Sequence, residues 1–176
     1  MKYFKTFLLS LSMLYCISLP AKATALDTLH VIHGDEFLRY PFGMFQDFKS
    51  FKNQDISVLR SKISYVRPYQ DEKKEATRTF NVGGSFVRFY ANKDTKKIET
   101  INAIILNKGM PLQNDIMIGM DRSDFLKKLN ISENASSNAR VVELSSKTGD
   151  IHHYYDFQND RLVRITILSK LFYQKE

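Results

Sequence analysis

Residues 116–129 read Ile-Met-Ile-Gly-Met-Asp-Arg-Ser-Asp-Phe-Leu-Lys-Lys-Leu, an apolar run that stops at Gly119-Met120 and passes into a helix. Asp121 stands where a side-chain oxygen can accept from the free N–H groups of a first helical turn. Asp124, three residues on, occupies the capping-box position, where Glu or Gln is the usual residue. Phe125, Leu126 and Leu129 form one apolar stripe, and Arg122, Lys127 and Lys128 stay on the wet side. Lys127 and Lys128 also suit the negative end of the helix dipole. Three strand-like runs follow, at residues 139–144, 151–157 and 161–168. A sheet of such strands has an apolar face that a helix must cover. The chain is therefore constrained to an α+β fold, with short helices packed on an antiparallel sheet.

The start of the chain has a different purpose. Met1-Lys2-Tyr3-Phe4-Lys5 is basic, residues 7–19 are apolar but short for a bilayer span, and Pro20-Ala21-Lys22-Ala23-Thr24-Ala25 offers Ala-x-Ala twice. That is the pattern of a secretory signal over residues 1–25, cut after Ala23 or Ala25. Cys16, the single cysteine, lies inside it and is preceded by the large Leu14-Tyr15, unlike a lipidation site. The mature chain then has no cysteine for a disulfide or a thiolate metal site, although it enters an oxidising compartment. It must be held by its hydrophobic core, and about 150 residues can bury enough surface for that. The expected location is periplasmic or secreted, with no stable membrane span. The formal charge of the whole chain is +7, and it falls to +4 once Lys2, Lys5 and Lys22 are removed. That excess suits an acidic partner or an anionic surface. There is no arginine-rich stripe, zinc-finger spacing or glycine-rich phosphate loop, and an exported chain is not expected to meet nucleic acid.

Residues 40–51, Tyr-Pro-Phe-Gly-Met-Phe-Gln-Asp-Phe-Lys-Ser-Phe, can be set beside residues 116–125. Both carry apolar residues, Gly-Met, a few polar residues and then Asp-Phe. Gly43 corresponds to Gly119. An internal duplication follows, with a first α+β repeat at 26–110 and a second at 111–176, each a helical element followed by strands. In the first repeat, residues 56–66 are apolar at irregular spacing and residues 70–75 form a charged loop. Residues 76–82 and 85–91 are strands about the Gly83-Gly84 turn, and residues 97–106 are a third strand. Residues 26–39 fit a strand or a single helical turn.

The residues do not assemble into a catalytic set. His30 and His33, three apart, would share one helical face, but no further ligand completes a metal site. His152 and His153 are adjacent in a strand and point to opposite faces, one towards solvent and one packed. Ser145, Ser146 and Ser169 lack a Gly-x-Ser-x-Gly context, and Asp71, Glu72 and Glu75 sit in a charged loop. No enzyme activity, cofactor or metal is expected. Alternation puts Phe86, Arg88 and Tyr90 on one face of their strand, opposite Val87 and Phe89. It likewise sets His152 and Tyr154 against Ile151, His153, Tyr155 and Phe157, and sets Arg164 and Leu162 against Val163, Ile165 and Ile167. Phe86, Arg88, Tyr90, His152, Tyr154 and Arg164 then share the sheet face that the helix leaves open. Tyrosine and arginine there serve as interface anchors, or simply as good outer-strand residues.

Gly119, Met120, Asp121, Phe125 and Leu129, followed by Phe157, Asn159, Leu162 and Val163, resemble the beta-lactamase-inhibitor-protein-like group. One such unit is similar to the SmpA/OmlA outer-membrane assembly lipoproteins. Gly43, Met44 and Phe48 carry the likeness into the first half. The resemblance implies helices on an antiparallel sheet, repeated in tandem, and a binding role. Two departures are plain: there is no lipidation site, and the mature chain lacks the disulfide that the inhibitor carries in each repeat. Two functions remain open. One is an exported protein-binding module of inhibitor or immunity type, with a protein partner in the cell envelope. The other is an envelope structural factor assisting outer-membrane assembly. The oligomeric state is left open. The protein isolated from the envelope should begin at Thr24 or Leu26; N-terminal sequencing that finds Met1 overturns the export assignment.

Overall fold

A computed structural model describes residues 27–52, 60–66, 75–132 and 139–170. The expected secretory signal over residues 1–25 and the charged loop as far as residue 74 lie outside the described residues. The fold is mixed α+β: an eight-stranded sheet with a few short helices. In chain order the elements are β1 (Thr28–Ile32), α1 (Asp35–Arg39), α2 (Phe48–Lys52), β2 (Arg60–Val66), β3 (Glu75–Val82), β4 (Ser85–Asn92) and β5 (Lys97–Ile105). A 3-10 turn (Gln113–Asp115), α3 (Arg122–Lys128), β6 (Val141–Ser145), β7 (Ile151–Gln158) and β8 (Arg161–Ser169) complete the chain.

The strands lie in the order β1-β6-β7-β8-β5-β4-β3-β2. Two meanders, β2 to β5 and β6 to β8, meet at their last strands, where β5 runs antiparallel to β8. Tight turns set the meanders. Gly83 and Gly84 have φ of 46° and 80°, and Asn159 and Asp160 have φ of 49° and 57°. Two successive left-handed residues give the turn whose twist matches paired strands, and Gly, Asn and Asp tolerate it best. One expectation needs correction. The sheet is antiparallel except at one edge, where β1 runs parallel to β6, Thr28 opposite Val141 through Ile32 opposite Ser145. The sequence around Leu29, Val31 and Ile32 carries no hairpin signal, because a parallel partner is reached by a long crossover and not by a turn.

The helices and the 107–121 connection cover one side of the sheet. Phe51 of α2 meets Phe80 and Phe89 edge-on, with centroids 5.0 and 4.5 Å apart, and Phe125 of α3 meets Tyr155 at 4.6 Å and Phe157 at 5.3 Å. All six rings are buried, in a core that also takes in Met110, Leu112, Ile116, Ile165 and Ile167. Asp47 starts α2, its Oδ1 accepting from the Ser50 N–H at 2.7 Å and the Ser50 hydroxyl at 2.8 Å. Asp121 stands at the N-cap of α3 as the sequence implies, but its side chain makes no capping bond. It pairs with Arg161 at 3.1 Å instead, because the β7–β8 turn brings that guanidinium alongside.

A second correction falls in β8. Alternation puts Val163 with Ile165 and Ile167, yet Leu162, Ile165 and Ile167 are buried and Val163 is exposed. Phe157 pairs with Leu162 and Asp156 with Arg164, so Val163 is an extra residue, a β-bulge that resets the alternation. Arg164 is on the open side either way. Phe125→Ala should lower the unfolding free energy by about 3–5 kcal/mol, since it empties a filled ring site. Asp121→Ala should cost under about 1 kcal/mol, the scale of an exposed ion pair. Urea melts of the two variants check this contrast.

Candidate functional site: the open sheet face

Register places all six candidate residues on the side of the sheet away from the helices. One row across the strands runs Ile32, Ser145, His152, Leu168, Asn102, Arg88 and Thr79. The next runs His30, Glu143, Tyr154, Thr166, Ile104, Phe86 and Asn81. Asp156 and Arg164 stand opposite each other in a third row, and Tyr90 lies towards the far end of β4, between Thr77 and Glu99. Arg88 and His152 are three strand spacings apart, about 14 Å. The face therefore has an apolar middle of Phe86, Ile104 and Leu168, with Tyr154 beside it and arginines at either side. Leu168 is 43 % exposed and Ile32, at the end of the same band, 69 %. Arg88 Nε donates to Thr79 Oγ1 at 3.2 Å, and Arg164 leans on Thr166 Oγ1 at 3.1 Å with Asp156 at 3.9 Å.

The polar end of the face is more organised than the sequence indicates. Glu143 is almost buried, and its carboxylate sits between two imidazoles. His30 Nδ1 is 2.5 Å from Oε2, and His152 Nδ1 is 2.7 Å from Oε1. His152 Nε2 donates to the Gly149 carbonyl at 2.7 Å. Burial pushes the Glu143 carboxyl up. The hydrogen bond from His152, with the charge and hydrogen bond of His30, outweighs it and holds the carboxyl below its ordinary range. Tyr154 stacks on His152 at 6.1 Å. Burial, and then the Glu143 charge and hydrogen bond, raise its hydroxyl pKa.

His30 lies in a strand and His33 beyond it, so the pair does not share a helical face; His33 packs on the Phe37 ring at 5.2 Å. Among the described residues no group of three or more His, Cys, Asp or Glu is arranged to hold a metal ion. In the His30–Glu143–His152 cluster each Nδ1 faces its own carboxylate oxygen. Sequence reasoning missed His30, Glu143, Leu168, Ile104 and Ile32 as members of this face. An acid inside Val-Val-Glu-Leu is the signal for Glu143, since a carboxylate in an apolar strand needs partners.

His153 points the other way. Its Nε2–H donates to the Leu38 carbonyl at 3.0 Å, so Nδ1 accepts from the Tyr155 hydroxyl at 3.1 Å. The ring is neutral, fully buried and tied to α1. Burial lowers its pKa to about 3; the Leu38 bond works against that shift, and the charges of His33 and His152 add to it.

Comparison with known proteins returns no match: no family model fits the chain, and no curated protein or solved structure is significantly similar to it.

The burial of His153 has a signed consequence. The unfolded chain binds a proton near 6.5 and the folded one only near 3, so stability is full above about 6.5 and is lost as pH falls towards about 3. Urea midpoints measured between these limits should drop with pH. In His153→Gln, which is less stable at neutral pH, they should drop much less steeply.

Proposed function

We propose that this is an exported protein-binding module of inhibitor or immunity type, which docks a protein partner of the cell envelope on its open sheet face. The observation that carries the reading is the composition of that face. Phe86, Ile104 and Leu168 make an apolar centre, Tyr154 adds an amphipathic ring, and Arg88 and Arg164 flank them. Apolar and aromatic anchors beside arginine are what fully desolvated interface centres use. Strands hold these side chains in fixed register, so little freedom is lost when a partner binds.

We also read the chain as two copies of one unit, and several equivalences support this. Gly43 and Gly119 both have positive φ, 107° and 89°. Asp47 precedes Phe51, and Asp121 precedes Phe125, each by one helical turn. The equivalent pair is thus Asp47 with Asp121, one turn earlier in α3 than the Asp-Phe match in the sequence. The Ile98 N–H donates to the Phe45 carbonyl at 2.9 Å, just as the Leu162 N–H donates to the Met120 carbonyl at 2.9 Å. β5 and β8 are both nine residues long. Two such units joined at their last strands give one wide face where either alone offers a narrow one.

The test is affinity capture from an envelope extract with the immobilised mature chain, followed by titration of the captured protein. Arg88→Ala with Leu168→Ala should weaken binding by about 2 kcal/mol or more, as removal of interface anchors does, and leave the melting curve nearly unchanged. Asp124→Ala, on the exposed side of α3, should bind as the parent does. Retention of full affinity by the double variant overturns the assignment of this face.

A further inference from the structure

β1 is the most lightly held strand of the sheet. It is five residues long, and among the described strands it pairs only with β6. At its centre His30 stands opposite Glu143, and on the other side of Glu143 stands Tyr154, next to His152. One carboxylate therefore links three strands. Its two oxygens take one imidazole nitrogen each, at 2.5 and 2.7 Å, so the His30 link is a cross-strand bond that holds β1 from its own middle.

The hydrogen-bond inventory shows why protons matter here. A carboxylate and a carbonyl only accept, and a neutral imidazole carries one N–H. His152 faces the Glu143 carboxylate with Nδ1 and the Gly149 carbonyl with Nε2, so only the protonated ring makes both bonds. His30 makes one bond, and protonation adds full charge attraction to the nearly buried carboxylate.

We propose that the His30–Glu143–His152 cluster is a proton-operated clamp. It docks β1 more firmly on β6 when His30 is protonated and loosens its hold when that ring is neutral. Imidazole is the side chain that ordinarily changes charge between pH 5 and 8. Among the described residues, the charged and titratable groups facing the cluster are few. They are Glu143 from β6, His152 and Tyr154 from β7, and Asp156 one row on, which is occupied with Arg164 of β8. Lys147 and Asp150 lie in the adjoining turn, and Asp27 and Arg140 precede the paired ends of β1 and β6. From the covered side come His33 and the neutral His153. Opening of β1 bares the edge of β6 and leaves Glu143 with His152 and the Tyr154 hydroxyl as its remaining partners. The effect on recognition rests on the function proposed above, but the clamp does not.

Its sign is opposite to that of the buried histidine: acid tightens β1 through this cluster, while acid weakens the fold as a whole through His153. Hydrogen–deuterium exchange of the purified protein separates the two, because the opening of a short edge strand is read apart from global unfolding. After correction for intrinsic exchange, peptides covering residues 27–33 should open about threefold faster near pH 8 than near pH 5.5, the scale of losing one exposed ion pair. The amides of β7 and β8 should not follow. His30→Asn should remove most of the slope, and its side chain is 71 % exposed, so the variant should fold. Glu143→Gln, where it folds, should leave β1 loose at every pH. Protection of residues 27–33 that does not change with pH, or a slope that persists in His30→Asn, overturns the clamp. Either result leaves the partner-binding reading of the face standing.

Discussion

Four residue pairs, from Asn102 opposite Leu168 to Ile105 opposite Ile165, join the two meanders into one sheet. Most of the rest depends on this contact. It puts Ala103, Ile105, Ile165 and Ile167 at the middle of a single buried layer, where α2 and α3 bring Phe51 and Phe125 from either side. It also sets Ile104 and Leu168 beside Phe86 and Tyr154 on the opposite face. Without it, β5 and β8 would each be an exposed apolar edge, the kind of surface that invites aggregation. With no cysteine beyond Cys16, the described fold is held by burial and by this strand pairing.

The strands were legible because one face is buried and one is not. Alternation in residues 85–91 and 151–157 follows the pleat, and Gly83-Gly84 and Asn159-Asp160 mark turns whose geometry demands those residue types. The six candidate residues of the open face could be read from the same rule. What could not be read is instructive. Val163 breaks alternation through a bulge that depends on how β7 is paired, not on the sequence of β8. Asp121 has the chemistry of a helix cap, yet Arg161, distant in sequence, claims its carboxylate. The partner of β1 is the largest omission, since a parallel neighbour leaves no local trace. Glu143 was hidden with it, because its partners come from β1 and from β7.

His152 and His153 show how much the pleat decides. Adjacent in sequence, they meet opposite environments. One ring has an acceptor at each nitrogen and is best satisfied when charged; the other is sealed under α1 and kept neutral. A rotation of the strand by one residue would bury the pair of acceptors' donor and expose the neutral ring, so the register of β7 fixes the electrostatics of both sides of the sheet at once.

The parallel pairing of β1 has a bearing on the order of assembly. Every other strand finds its neighbour within its own meander or, for β5 and β8, at the close of both. β1 is made before any of them, and its partner β6 comes late in the chain. Contacts of such long sequence separation form slowly, because a large loop must close before they return any energy. Among the described strands, the first to be synthesised is therefore the slowest to be seated. Until it is, β6 presents a bare edge, and a chaperone or a neighbouring chain that offers a strand of its own meets no competitor there.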